Sequence, residues 1–100
     1  MPEDGVVVII TYQAQPGKGE VARRELSALI ADVLSKEPAC LGITLHQDPE
    51  DDTRFLLHER WRDKGAYTGP HMQTPHLQAF IARAPGFVAA PPTITYWSVV

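Results

Sequence analysis

The side chains able to move a proton or hold a flat ring gather in the middle of the sequence: His46, Glu59, Trp61, His71 and His76. Histidine exchanges a proton near neutral pH, which makes each imidazole a candidate general acid or base. His71 is the first choice, because it stands just before a helix start; His76 follows early in that helix. Glu59 lies between Leu57 and Trp61 at alternate positions. Enclosure by such neighbours disfavours the charged carboxylate and turns it into a usable proton acceptor. The plainer reading is a structural carboxylate paired with an arginine such as Arg60 or Arg62. Trp61 is either a stacking platform for a flat substrate or a core residue. The sequence has no H-x-H, no H-E-x-x-H and no cysteine pair, so no metal is expected. It also lacks a G-x-G-x-x-G or Walker pattern, so no nucleotide or flavin is expected. Cys40 is the one cysteine; standing between Ala39 and Leu41, it reads as packing rather than as a nucleophile.

These residues must be held by a small set of elements. Gly5 to Tyr12 is β-branched almost throughout and reads as a strand. Val6, Val8 and Ile10 fall on one face, Val7 and Ile9 on the other, and a strand apolar on both faces has both faces covered. Gln15 to Gly19 is turn chemistry. From Glu20 to Glu37, Val21, Leu26, Leu29, Ile30, Val33 and Leu34 form one helical stripe, ended by Pro38. Leu41 to Gln47 alternates as a second strand. The acidic stretch from Asp48 to Thr53 connects it to a third, Arg54 to Trp61. Helical pattern resumes from Lys64 to about Met72, broken by Gly65, Gly69 and Pro70. Thr74-Pro75 starts another helix, as N-cap and first helical residue. Leu77, Phe80 and Ile81 are its apolar stripe, and Pro85-Gly86 ends it. Thr93 to Val99 closes the chain as a fourth strand.

The order β-α-β-β-α-β predicts an α+β, ferredoxin-like fold with a four-stranded antiparallel sheet, built as one domain over residues 1–100. The helices cover one sheet face; the second apolar face of the first strand then calls for another sheet, most simply that of a second copy of the chain. If Gln47 pairs with Arg54, then Thr44 and His46 share a face with Phe55, Leu57, Glu59 and Trp61, while Leu41, Ile43, Leu45 and Leu56 face the helices. A face mixing histidine, carboxylate and aromatics suits a pocket for an aromatic or amphiphilic small molecule better than it suits a dry core.

Composition narrows the field further. One hundred residues should bury roughly 60–70% of their extended-chain surface, enough for one modest core. The hydrophobic fraction is 44%, the charged fraction 21% and the formal charge −3, with scattered basic residues. That composition excludes a disordered tail and predicts no nucleic-acid partner. No apolar run reaches the roughly 18–20 residues of a membrane span. Met1-Pro2-Glu3-Asp4 is an acidic start without the basic region of a secretion signal, and with a lone cysteine it predicts a cytoplasmic protein.

Four segments add a resemblance: P-G-K-G-E before the long helix, E-P-A-C-L-G-I-T-L-H-Q-D-P-E-D, R-F-L-L-H-E-R-W-R-D-K and H-M-Q-T-P-H-L-Q-A-F. Over roughly residues 6 to 97 the chain resembles the antibiotic biosynthesis monooxygenase family. The resemblance implies a ferredoxin-like domain that dimerises through its sheet into an α+β barrel. It implies oxidation of a quinol or phenol by molecular oxygen with neither metal nor flavin, Trp61 and Tyr67 matching pocket positions of the family's oxygenases. The family also includes isomerases of small phosphorylated sugars and haem degraders. The chain contains no asparagine, which the haem-degrading branch requires. The polyketide oxygenases place an asparagine where this chain has Leu57, so their reaction in its familiar form is not expected.

The expected function is therefore a cofactor-independent monooxygenase of a quinol-like or phenolic aromatic molecule. Glu59, His71 and His46 are the expected proton-transfer groups; Trp61, Tyr67, Phe55, Leu57, Thr44 and His76 are the expected substrate contacts. Two alternatives stand beside it. An isomerase of a small phosphorylated carbonyl compound would need an inward arginine among Arg54, Arg60 and Arg62, and a non-catalytic ligand-binding or dimerisation module would have an interior packed solid.

Overall fold

A computed structural model describes residues 5–100; Met1–Asp4, read above as an acidic start, lie outside the described residues. The chain runs β1 (Val6–Gln13), α1 (Gly19–Lys36), β2 (Cys40–Asp48), β3 (Asp51–Trp61), α2 (Lys64–Thr68), a 3₁₀ turn (Pro70–Gln73), α3 (Pro75–Arg83), a 3₁₀ turn (Ala84–Gly86) and β4 (Thr93–Ser98). The strands form one antiparallel sheet in the order β2-β3-β1-β4, the ferredoxin-like arrangement expected from the sequence. No helix among the described residues is long and apolar enough to cross a membrane.

Side-chain alternation divides the sheet sharply. Val8, Ile10, Phe55 and Leu57 are buried under the helices, against Leu26, Leu29 and Val33 of α1 and Leu77 and Phe80 of α3. Together they make the core, worth about 1.5–3 kcal/mol for each large side chain withdrawn from water. The opposite face carries Val7, Ile9 and Leu56, each partly exposed, and Trp97, which is 59% exposed. The double-faced apolar pattern of β1 is thus real, and among the described residues the helices bury one of its faces.

The β2–β3 hairpin corrects two expectations: the helices cover the Phe55, Leu57, Glu59 and Trp61 side of β3, which leaves Leu56 on the outer face, and the register is displaced. Gln47 pairs with Phe55, not Arg54, so Ile43 and Leu45 lie beside Glu59 and Leu57 on the helix-facing side. Thr44 and His46 pair with His58 and Leu56 and are on the other face. A displacement of one residue moves a strand's whole side-chain set to the opposite face. The cause is local. Asp48 pairs with Asp51 across Pro49-Glu50, and the ladder then shifts at a bulge before reaching Gln47–Phe55. Asp51 fixes this geometry by accepting from the backbone N–H (3.0 Å) and hydroxyl of Thr53, and the Gln47 side-chain amide donates to the Asp52 carbonyl (3.0 Å). Pairing also shifts at the other end of β2, between Cys40 and Gly42, leaving Leu41 53% exposed rather than facing the helices.

Candidate active site

Between the sheet and the helices lies a cavity of about 110 Å³. Its polar lining is confined to Tyr12 from β1, Glu59 from β3, Tyr67 from α2 and His71 from the first 3₁₀ turn. The rest is apolar, contributed by α1, by Ile43 and Leu57 of the hairpin, by α3 and by Ile94 of β4. No arginine or lysine lines it among the described residues. An apolar cavity of roughly 150 Å³ holds one benzene ring, so this chamber is sized for part of a single aromatic ring. Tyr12, Ile81 and Pro92 also line a neighbouring groove of about 590 Å³ bordered by the Ala89–Pro92 linker.

Glu59 reaches this interior because β3 alternates: Phe55, Leu57, Glu59 and Trp61 all face the helices, each at most 4% exposed. The Trp61 indole N–H donates to Glu59 Oε1 at 2.8 Å. Burial pushes the Glu59 carboxyl up to about 7, against the opposing pull of that hydrogen bond, and the negative charge of Glu37 adds to the rise. The carboxyl is therefore poised to give or take a proton near neutral pH. No arginine pairs with it: Arg54 and Arg62 hold Asp48 and Asp63 at the surface, and Arg60 is exposed. Burial, together with the nearby Glu59, raises the Tyr12 hydroxyl to about 12 and lifts the Tyr67 hydroxyl well above its ordinary range, so both phenols are donors.

The His71 position has its own local cause. Asp63 caps α2 by accepting from the Ala66 N–H at 2.7 Å, and Pro70 starts a tight turn that carries His71 inward. His71 is 5% exposed, stacks on Tyr67 at 5.1 Å between ring centres, and leans on Trp61 at 4.7 Å. Its Nδ1 lies 2.9 and 3.0 Å from the two carboxylate oxygens of Glu37. His76 Nε2 lies 2.6 Å from Glu37 Oε2. Burial lowers the affinity of His71 for a second proton, with Glu37 pulling the other way and His76 adding slightly to the fall. The imidazole is consequently neutral at pH 7.

Glu37 is the residue that sequence reasoning missed. It entered only as the end of a helix, yet it is the C-cap of α1 with extended backbone (φ −122°, ψ 92°). Pro38 disfavours the helical conformation for the residue before it. That turns Glu37 out of the helix and toward the His71 turn. A carboxylate directly before a helix-ending proline, with two histidines five residues apart elsewhere, was the available signal.

Several expected substrate contacts stand elsewhere. Trp61 is 1% exposed and lies behind Glu59 and His71 rather than in the cavity wall. Phe55 packs near the hairpin tip, in the wall of a separate surface hollow shared with His46. His76 contacts Glu37, and Thr44 with His46 is on the outer sheet face. Cys40 is buried and its thiol is pushed up to about 11 by desolvation, which leaves it unreactive at neutral pH. Among the described residues no group of three or more His, Cys, Asp or Glu side chains is disposed to hold a metal ion.

The chain has relatives among known proteins. The family model for antibiotic biosynthesis monooxygenases matches residues 5–83. The chain belongs to the antibiotic biosynthesis monooxygenase family. The matched span contains Tyr12, Glu37, Glu59, Tyr67, His71 and His76, so the polar walls of the cavity and the groups that support them all fall within the family domain. Among solved structures, PA3566 of Pseudomonas aeruginosa is 31% identical with a TM-score of 0.88, covering 100% of this chain and 98% of that one. Rv0793 of Mycobacterium tuberculosis is 23% identical with a TM-score of 0.83, over 96% and 95% of the two chains, and shares the fold. An uncharacterised protein of Synechocystis, sll1783, is 29% identical over 97 residues; the chain spans 65% of that protein's length.

Proposed function

We propose that this family member is a monooxygenase of a quinol-like or phenolic aromatic molecule, using molecular oxygen with no metal or flavin. The observation that carries the reading is an apolar cavity whose titratable walls, among the described residues, are a neutral imidazole, a carboxyl poised near pH 7 and two phenols. A phenolic ring entering through the groove would meet His71 or Glu59 as proton acceptor. The phenol O–H bond breaks, its electron pair stays on oxygen, and the proton moves to the base. The electron-rich anion then reduces oxygen directly. For a quinol with an open ring position, ring hydroxylation and oxidation to the quinone each release two electrons. Oxygen takes all four, one atom entering the product and the other leaving as water with the two quinol protons. No outside reductant is needed. Leu57, Met72 and Leu77 exclude bulk water from the ring, while the Tyr12 and Tyr67 hydroxyls serve as donors to its oxygens.

The same reading includes a second copy over the outer sheet face, where Val7, Ile9 and Leu56 are partly exposed and Trp97 is 59% exposed. A cytoplasmic setting, without a nucleic-acid or membrane partner, belongs to the proposal as well. An isomerase of phosphorylated carbonyl compounds fits less well, because the cavity has no cationic wall and Arg54, Arg60 and Arg62 are all exposed. A purely structural module would have a filled interior. The test is oxygen uptake after anaerobic mixing of chelator-dialysed protein with a naphthoquinol. Uptake above the uncatalysed rate is expected; uptake at the uncatalysed rate across several quinols overturns the reading.

A further inference from the structure

The Glu37 side chain is only 11% exposed, and it sits at the C-terminus of an 18-residue helix. That end of a helix repels an anion, by an effect usually worth about 0.3–1 kcal/mol. No lysine or arginine lies within ion-pair distance to offset this among the described residues; Lys36, its neighbour, holds Asp32 at 3.5 Å. The carboxylate is instead served by two ring nitrogens, His71 Nδ1 and His76 Nε2. A carboxylate only accepts, so both nitrogens must donate. His71 is then fixed with its proton on Nδ1, and Nε2 is left with a lone pair. No side-chain nitrogen or oxygen among the described residues is both sealed from solvent and unpartnered. With no hydrogen-bond partner among the described residues, Nε2 therefore opens onto accessible space, and His71 is one of the residues that line the cavity.

We propose that Glu37 is a positioning residue: it holds His71 in the tautomer whose free Nε2 accepts the substrate's proton, and it balances the imidazolium that results. His76 is the second support, holding Glu37 Oε2 so that the carboxylate cannot turn away from His71. The inference rests on the proposed phenol chemistry for its use, but the tautomer is a property of the protein alone. In the step itself the substrate O–H bond breaks, the Nε2–H bond forms, and no electron leaves the substrate. The groups facing His71 are Glu37 from the end of α1, His76 from α3, Tyr67 from α2 and Trp61 from β3, with Glu59 across the cavity.

The tautomer is read directly by nitrogen-15 NMR of the histidine rings in the full chain at pH 7.5. Wild-type His71 is expected to carry its proton on Nδ1, and Glu37→Ala to move it to Nε2 in the larger part of the population. Glu37→Gln keeps an acceptor but loses the charge. It should retain the Nδ1–H form while kcat with a quinol falls at least tenfold, KM stays within about twofold, and the acid limb of the pH profile moves to lower pH. A merely structural Glu37 would leave that limb in place. Wild-type His71 protonated on Nε2 overturns the proposal with no variant needed, as does an unchanged tautomer in folded Glu37→Ala. If the tautomers behave as expected and the wild type still turns over no quinol, the oxygenase reading fails while the positioning role of Glu37 stands.

Discussion

Replacing Glu59 by glutamine should change how stability depends on pH, by an amount the structure sets. The carboxyl is held near 7 in the folded protein against an ordinary value of 4.5 in the unfolded chain. A raised acid binds its proton more tightly when folded. Its contribution to stability is therefore fully present at low pH and is lost as pH rises from 4.5 through 7. Each tenfold gain in proton affinity on folding is worth about 1.4 kcal/mol, so the wild type should lose about 2–3 kcal/mol between roughly pH 5 and pH 8 from this group alone. His71 acts with the opposite sign: its lowered proton affinity gives stability present above its ordinary 6.5 and lost as pH falls below it. Both proteins carry His71, so the difference between wild type and Glu59→Gln isolates Glu59. Glutamine keeps an oxygen for the Trp61 N–H and cannot ionise. Urea titrations at fixed protein concentration, across roughly pH 5 to 8, should show the variant gaining about 2–3 kcal/mol on the wild type as pH rises. Parallel curves, with the difference constant to within about 0.5 kcal/mol, would mean that the carboxyl is not desolvated, and the reasoning about the site would fail with it.

Four further outcomes follow from the same geometry. His71→Gln should lower quinol turnover about 100-fold or more, in keeping with removal of a general base, while circular dichroism shows the fold intact. Trp61→Phe deletes the donor to Glu59 and should cost about 1–3 kcal/mol by urea titration while moving the titration of Glu59 to higher pH, read by carbon-13 NMR of the carboxyl. Ile94 lines the cavity yet is 38% exposed, so Ile94→Trp can fill the chamber without overpacking the core; KM should rise at least tenfold with stability changed by less than about 1 kcal/mol. The wild type should sediment at micromolar concentration as a particle of twice 11.1 kDa, and Trp97→Glu, which puts a charge on the outer sheet face, should give 11.1 kDa.

The fold was legible because each element announced itself through local pattern. The β-branched run of β1, the three- and four-residue spacing of α1 and the Thr74-Pro75 start of α3 all stand where propensity and periodicity put them. Glu59, Tyr67 and His71 were also reachable, the first and last from residue type and neighbours and Tyr67 from the family resemblance. What could not be read depends on contacts distant in sequence or on turn geometry. The Glu37–His71 bond joins residues 34 apart, and nothing in either segment records the other. The placement of Thr44 and His46 failed because Asp51, Thr53 and Gln47 build a bulge that shifts the ladder, and alternation in the strands is blind to it. Trp61 was ambiguous for a physical reason: an indole beside a buried carboxyl serves equally as packing and as hydrogen-bond donor, and here it does both.

Oxygen-18 labelling follows the atom that a monooxygenase must transfer. Metal- and flavin-free protein, given a quinol with an open ring position under labelled oxygen gas, should yield a hydroxyquinone carrying one heavy oxygen atom on carbon, and His71→Gln should yield it at the uncatalysed rate. A product made at the enzyme-dependent rate but containing no heavy oxygen, or no enzyme-dependent product at all, would contradict the account.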